Sequence, residues 1–145
     1  MYNNTVYNNT YGHDLSFTDA LLTNLTQSYC VDTGRVFMTG FSNGAGFTNV
    51  AACDPNLSGR FNAFAPHSTV DYTTTLDSAC SGTVPYTVLT NNLVENVCSP
   101  SRANPLLEIH GDNDGTANYF GGGRRGYCLP AIPHYVTDWY VLRFN

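Results

Sequence analysis

Two short stretches carry side chains whose types and spacing could do chemistry. In "GFSNG", residues 40 to 44, Ser42 stands between two glycines at the point where an apolar run gives way to a helical pattern. In "HGDND", residues 110 to 114, a histidine and two carboxylates, Asp112 and Asp114, share one polar turn. A serine hydroxyl attacks a carbonyl only when a base takes its proton, and the base is held in the right tautomer by a carboxylate. Ser42 with Asp112 or Asp114 therefore supplies two of the three parts of a nucleophilic acyl-transfer site. The ordinary alternatives are a glycine-rich loop for the first stretch and a solvated turn for the second.

The surrounding pattern decides how these stretches are presented. "VFMTGF" is a short β-branched and aromatic run of buried-strand type, and "NGAGFTNVAAC" reads as a helix with small residues on the side toward a sheet, ended by Asp54-Pro55. A serine between strand and helix in G-x-S-x-G is a nucleophile elbow, a sharp turn at unfavourable backbone angles. Gly40 and Gly44 are expected where a side chain would collide with the neighbouring strand or helix, and Gly46 extends the small surface. The backbone N–H of Asn43 is then left at a helix N-terminus, aimed where an oxyanion would form.

The other elements follow in alternation. "SFTDALLTNLTQSYC" predicts a helix with Ser16 as N-cap, Asp19 three residues on, and an apolar face of Phe17, Leu21, Leu25 and Tyr29. "RFNAFAPHS" predicts a strand running out at Pro66, and "PLLEIHGDND" a strand that ends in the acidic turn. Residues 68 to 104 are polar and too long for an ordinary connection, so a loop-rich insertion is expected there. "GGGRRG" predicts a loop, and "IPHYVTDWYVLRF" a closing helix with Pro133 in its first turn. Alternating helices and short apolar strands predict an α/β fold with a mostly parallel sheet. In such a sheet the turn after the third strand projects at the same edge as the elbow.

Composition excludes several other functions. The 145 residues are enough for one modest core, so one domain is expected over 1 to 145. Six Lys+Arg against eleven Asp+Glu leave no basic stripe for nucleic acid or anionic lipid. No apolar run is long enough to span a membrane, and "MYNNTVYNNT" lacks the basic and apolar regions of a signal peptide. Five cysteines without C-x-x-C spacing nevertheless favour disulfides over zinc, and N-x-S/T sequons begin at Asn3, Asn8, Asn24 and Asn56. Both features, with the low lysine content, point to a secreted protein.

The quoted stretches together carry a family resemblance. An F-T-x-x-L-L helix (17 to 22), a Y-C-V-D-T turn (29 to 33), the elbow with Asn after its serine, an A-C-D-P helix end (52 to 55) and the H-G-x-x-D turn occur in order. The chain from about residue 11 to 145 resembles the feruloyl esterases of fungal types C and D and related secreted α/β-hydrolases, the group that includes polyhydroxybutyrate depolymerase-like esterases. The resemblance implies Ser42 as nucleophile and Asp114, the last residue of H-G-x-x-D, as acid, with Asp112 an accessory turn residue. It implies hydrolysis of the ester between ferulic or related hydroxycinnamic acids and the arabinose side chains of xylan, through an acyl-enzyme, at the cell exterior. A monomer that needs no metal or organic cofactor is expected.

The same resemblance implies what this chain lacks. Relatives begin upstream with a strand and an H-G loop that gives a second oxyanion N–H, and continue past this C-terminus to the catalytic histidine. The 145 residues are therefore expected to be a fragment, with weak turnover or none alone. In chain order Ser, Asp, His, the residues His13, His67 and His110 come too early; His110 is expected to brace the turn, and His134, in the closing helix, lies where the family has no base. Cys30 with Cys53 and Cys80 with Cys98 are candidate pairs among fifteen ways of pairing four of the five, and the family pattern leaves Cys128 with its partner missing. A sheet lacking its first strands should expose apolar edges. Two other readings stand beside the first: an acetylxylan or polyester esterase of the same fold, and a non-catalytic vestigial domain binding sugars through Tyr119, Tyr127 and Trp139.

Overall fold

The computed structural model describes residues 12–69, 98–124, 127–129, 132–133, 136–137 and 140. Helix α1 spans Gly12–Ser28, strand β1 Phe37–Phe41, helix α2 Asn43–Cys53 and strand β2 Ala63–His67. Strands β1 and β2 pair in parallel, with Phe37 opposite Ala63 and Phe41 opposite His67. That is a β-α-β unit, with α2 as the crossover.

A third stretch extends the sheet on the far side of β2. Leu106 pairs in parallel with Phe64 and Ile109 with His67. The Phe64 N–H bonds Pro105 O at 3.0 Å, Leu107 N–H bonds Phe64 O at 2.9 Å, Ile109 N–H bonds Pro66 O at 3.0 Å and Ser68 N–H bonds Ile109 O at 2.8 Å. In a regular parallel ladder the one missing donor is that of residue 66, a proline, which has none. The expected strand end at Pro66 is thus corrected. The chain stays extended through Pro66 because the proline φ suits a strand, and the ladder loses one bond instead of stopping. Tyr140 closes the outer side of this stretch, its hydroxyl donating to Leu106 O (2.7 Å) and accepting from Leu106 N–H (3.3 Å).

The core lies on the α2 side of the sheet. Val50, Ala51 and Ala52 of α2 pack with Leu15, Leu57, Phe61, Phe64, Cys98 and Leu106, and Leu22, Met38 and Val136 close around them. Small residues on α2 bring helix and sheet close together, as their spacing predicts. On the opposite face, Phe37 and Phe41 of β1 and Leu107 and Ile109 of the third stretch are exposed. Parallel sheets are normally covered on both faces. Among the described residues the exposed apolar surface is thus on a face of the sheet, where the sequence led to the expectation of exposed edges.

Several local expectations are corrected. Helix α1 begins at Gly12, four residues before the expected cap; Ser16 lies inside it, its hydroxyl turned back to Gly12 O at 2.8 Å. The face with Phe17, Leu21, Leu25 and Tyr29 is the exposed one. Leu15 and Leu22 face the core, and Arg60 bonds Asp19 and Thr23 to hold that side down. "GGGRRG" takes part in pairing: β3 (Gly122–Arg124) and β4 (Tyr127–Leu129) are antiparallel, with Gly123 opposite Cys128. An antiparallel ladder is made by backbone groups, so glycines can join it. A disulfide joins Cys53 to Cys98, and Cys30 is free and exposed, so neither candidate pair holds. Pairing depends on which helix end the returning chain meets, and Ser99 N–H bonds Cys53 O at 3.0 Å at that meeting point. Most of the expected insertion (70–97, with Cys80), Asn3, Asn8, His134 and Trp139 lie outside the described residues, as do the side chains of Tyr127 and Cys128. Ile132, Pro133, Val136, Thr137 and Tyr140 are helical, in accord with a closing helix.

Candidate active site

Strand β1 ends at Phe41 and α2 begins at Asn43, leaving Ser42 alone to make the turn. Its backbone adopts φ 53° and ψ −113°, a region that costs a side chain about 1–3 kcal/mol. Two bonds hold it there: Ser42 N–H to His67 O at 3.0 Å, and Gly46 N–H to Ser42 O at 3.1 Å. Gly40 is required by close approach, since a Cβ there would stand 2.2 Å from the Gly44 carbonyl oxygen. Gly44 itself differs from expectation. A Cβ on it would meet nothing within 4 Å, so its own side-chain space is open and it is its backbone that crowds Gly40. The Asn43 N–H is in the first turn of α2, where an amide has no intrahelical acceptor and the helix dipole is positive.

The acid turn is built differently. Asp114 Oδ1 accepts from Thr116 N–H at 2.7 Å and Ala117 N–H at 2.9 Å, and its own N–H bonds Gly111 O at 3.2 Å. Its other oxygen, Oδ2, is 3.8 Å from His110 Nε2. His110 is buried, its Nε2 2.7 Å from Ala117 O and its Nδ1 3.1 Å from Glu108 Oε1. Bracing by His110, expected from the sequence, is observed. Asp112 is exposed at the tip of the turn.

All three parallel stretches run the same way, so Ser42 and the turn that bears Asp114 lie at one sheet edge, with the end of β2 between them. Two strand spacings separate the parent strands, roughly 10 Å. Of the histidines, His67 is nearest the elbow along the backbone. Its ring packs edge-on against Phe41 at 5.1 Å between centroids, on the sheet face away from α2. Among the described residues no hydrogen bond joins the Ser42 hydroxyl to a histidine. His13 lies on α1 and is exposed. Tyr119, a candidate for stacking on sugars, packs against His110 and Phe120 at 6.0 and 5.2 Å. Among the described residues no cluster of His, Cys, Asp and Glu could hold a metal ion, and no helix is long and apolar enough to cross a membrane.

Three residues of this edge were not singled out from sequence. The Glu108 side chain is 2% exposed and bonded to both His110 and, at 3.3 Å, the Thr69 N–H. Ser68 has a second positive φ, 52°, where β2 ends. Thr69, buried, also takes a 2.9 Å bond from the Asn49 amide of α2. The available signal was the spacing of Glu108 and His110, two apart on a strand and so on one face.

No family model matches the chain, and no solved structure matches it at a significant level. Two curated proteins are similar to it in part. One is feruloyl esterase B of Piromyces equi, 31% identical over 110 residues that make up 75% of this chain and 17% of the relative. The other is feruloyl esterase D of Neurospora crassa, 42% identical over 50 residues, 34% of this chain and again 17% of the relative. The similarity points toward the feruloyl esterases, and the chain spans about a sixth of the length of these curated relatives.

Proposed function

We propose that this chain carries the nucleophile and acid of a secreted carboxylic ester hydrolase, with Ser42 as nucleophile, Asp114 as acid and the Asn43 N–H as an oxyanion donor. Attack by Ser42 on an ester carbonyl forms an acyl-enzyme and frees the alcohol; water then releases the acid. The partial relatives, both named feruloyl esterases, favour a feruloyl ester as substrate, and the sequence resemblance adds arabinoxylan of the plant cell wall as the polysaccharide that carries it. Acetylxylan and polyesters are the alternatives of the same chemistry. The observation that carries the reading is the strained turn at Ser42, φ 53°, between a parallel strand and a helix with Gly40 pressed on Gly44. Strain of that kind persists where the surroundings enforce it, and it clusters at reactive sites. A span of two strands also suits one imidazole placed between hydroxyl and carboxylate.

The test is labelling by a fluorophosphonate together with hydrolysis of methyl ferulate, methyl acetate and a soluble polyester oligomer. Ser42 should be the residue labelled wherever a base completes the site, and Ser42→Ala should abolish that labelling together with any turnover. With no histidine bonded to the Ser42 hydroxyl among the described residues, turnover by the 145-residue chain should be weak or absent, and His67→Ala and His134→Ala identify any base it has. Labelling at another serine, unaffected by Ser42→Ala, would sink the proposal.

A further inference from the structure

We infer that Glu108 and His110 form a buried positioning unit: they share one proton, and it fixes the turn that bears Asp114 against the end of β2, the same strand end that holds the elbow. The inference takes its catalytic meaning from Asp114 as the acid, but its physical content stands on the hydrogen bonds alone.

The proton follows from the partners. A carbonyl oxygen can only accept, so the 2.7 Å contact between His110 Nε2 and Ala117 O requires a hydrogen on Nε2. A neutral imidazole with that hydrogen has a bare lone pair on Nδ1. Facing it at 3.1 Å is an oxygen of Glu108, and the two side chains are 1% and 2% exposed. Two lone pairs, one of them on a full negative charge, would repel each other where water cannot screen them. A second hydrogen must lie between Nδ1 and Oε1. Whether it is drawn on the ring or on the carboxyl, the pair carries no net charge and both contacts are attractive. Asp114 Oδ2, 3.8 Å from Nε2, adds a further reason to keep hydrogen on that nitrogen.

This proton ties the two halves of the candidate site to one reference. On the acid side, Ala117 is the hub: its carbonyl accepts from His110, and its N–H donates to Asp114 Oδ1 at 2.9 Å. On the elbow side, Glu108 Oε1 accepts from Thr69 N–H, Ser68 N–H donates to Ile109 O, and His67 O accepts from Ser42 N–H. A displacement of His110 therefore moves Ala117 and with it the carboxylate of Asp114, while Ser42 stays with β2. Glu108 and His110 touch no reacting atom in this scheme.

The experiment uses the whole chain and reads the turn by NMR, without substrate. In the wild type the His110 Nε2–H should be visible and protected from solvent, and the Thr116 and Ala117 amides should exchange slowly. In E108L the bare Nδ1 has no donor; exchange at Thr116 and Ala117 should rise about ten- to a hundredfold while the α2 amides of Ala51 and Ala52 hold. In E108Q the side-chain amide supplies the hydrogen to Nδ1, at the expense of the acceptor for Thr69 N–H, so the Nε2–H signal and slow exchange at Thr116 and Ala117 should be kept. If E108L leaves Thr116 and Ala117 unchanged, or E108Q folds without restoring the Nε2–H signal, the inference is overturned. Should E108L not fold, E108Q decides by itself. None of these results depends on Ser42 being a nucleophile, so a failed labelling experiment and a failed positioning unit are told apart.

Discussion

The elbow after β1 and the acidic turn after Ile109 share one sheet edge, but different forces shape them. At the elbow the shape is steric: a strand and a helix approach so closely that Gly40 has no room for a methyl group, and Ser42 absorbs the misfit in its backbone angles. At the turn the shape is polar: a carboxylate gathers two amides, and a buried histidine side chain anchors the Ala117 carbonyl that follows them. A steric device fails abruptly when volume is added. A polar device fails by degrees, according to which hydrogen bond is withdrawn. The nucleophile thus sits on the rigid side of the edge and the acid on the adjustable one.

Substitutions can break this contrast, and the largest effect should come from Gly40→Ala. The added Cβ would meet backbone, which cannot swing aside, so a loss of more than about 4 kcal/mol is expected. For a domain whose whole stability is on the order of 5–15 kcal/mol, that should abolish a cooperative urea transition or shift its midpoint far down. Next is Asp114→Ala, which withdraws the acceptor from Thr116 and Ala117 and should cost about 2 kcal/mol. Asp114→Asn keeps an oxygen at the Oδ1 position and should cost under about 1 kcal/mol, a difference that urea titration resolves. An equal loss for both would show that charge, not the pair of amide bonds, holds the turn.

Smallest and opposite in sign is Ser42→Gly. Relieving the positive φ should stabilise the chain by roughly 1 kcal/mol. Ser42→Ala keeps the strain and should leave stability within about 0.5 kcal/mol of wild type. Thermal melts of the two variants side by side isolate the strain, because both lack the hydroxyl. A Ser42→Gly variant no more stable than Ser42→Ala would mean that the elbow stores nothing.

Legibility from sequence followed the range of the forces involved. The strand–Ser42–helix turn was readable because its signals, glycine spacing and a change of periodicity, fall within a dozen residues. The Asp114 turn was readable for the same reason, and so was bracing by His110. Face assignment on α1 was not: Phe17, Leu21, Leu25 and Tyr29 are the better apolar stripe, yet Leu15 and Leu22 face the core because Arg60 binds Asp19 and Thr23 on that side. Pro66 was read as a stop because local rules cannot tell that only one ladder donor would be lost. The role of Glu108 was only half legible: its spacing from His110 is local, but its other partner, Thr69, comes within reach only when β2 and the third stretch lie side by side. The Cys53–Cys98 pair likewise depends on where a distant segment returns.

That disulfide has a consequence for any protease that reaches the chain. It links positions 45 residues apart, with the elbow before the first cysteine and the acidic turn after the second. A nick anywhere between Cys53 and Cys98 would cut the backbone connection between Ser42 and Asp114 and still leave the two fragments as one covalent molecule. On a gel such a chain would run as one band until a reductant was added, and only then as two.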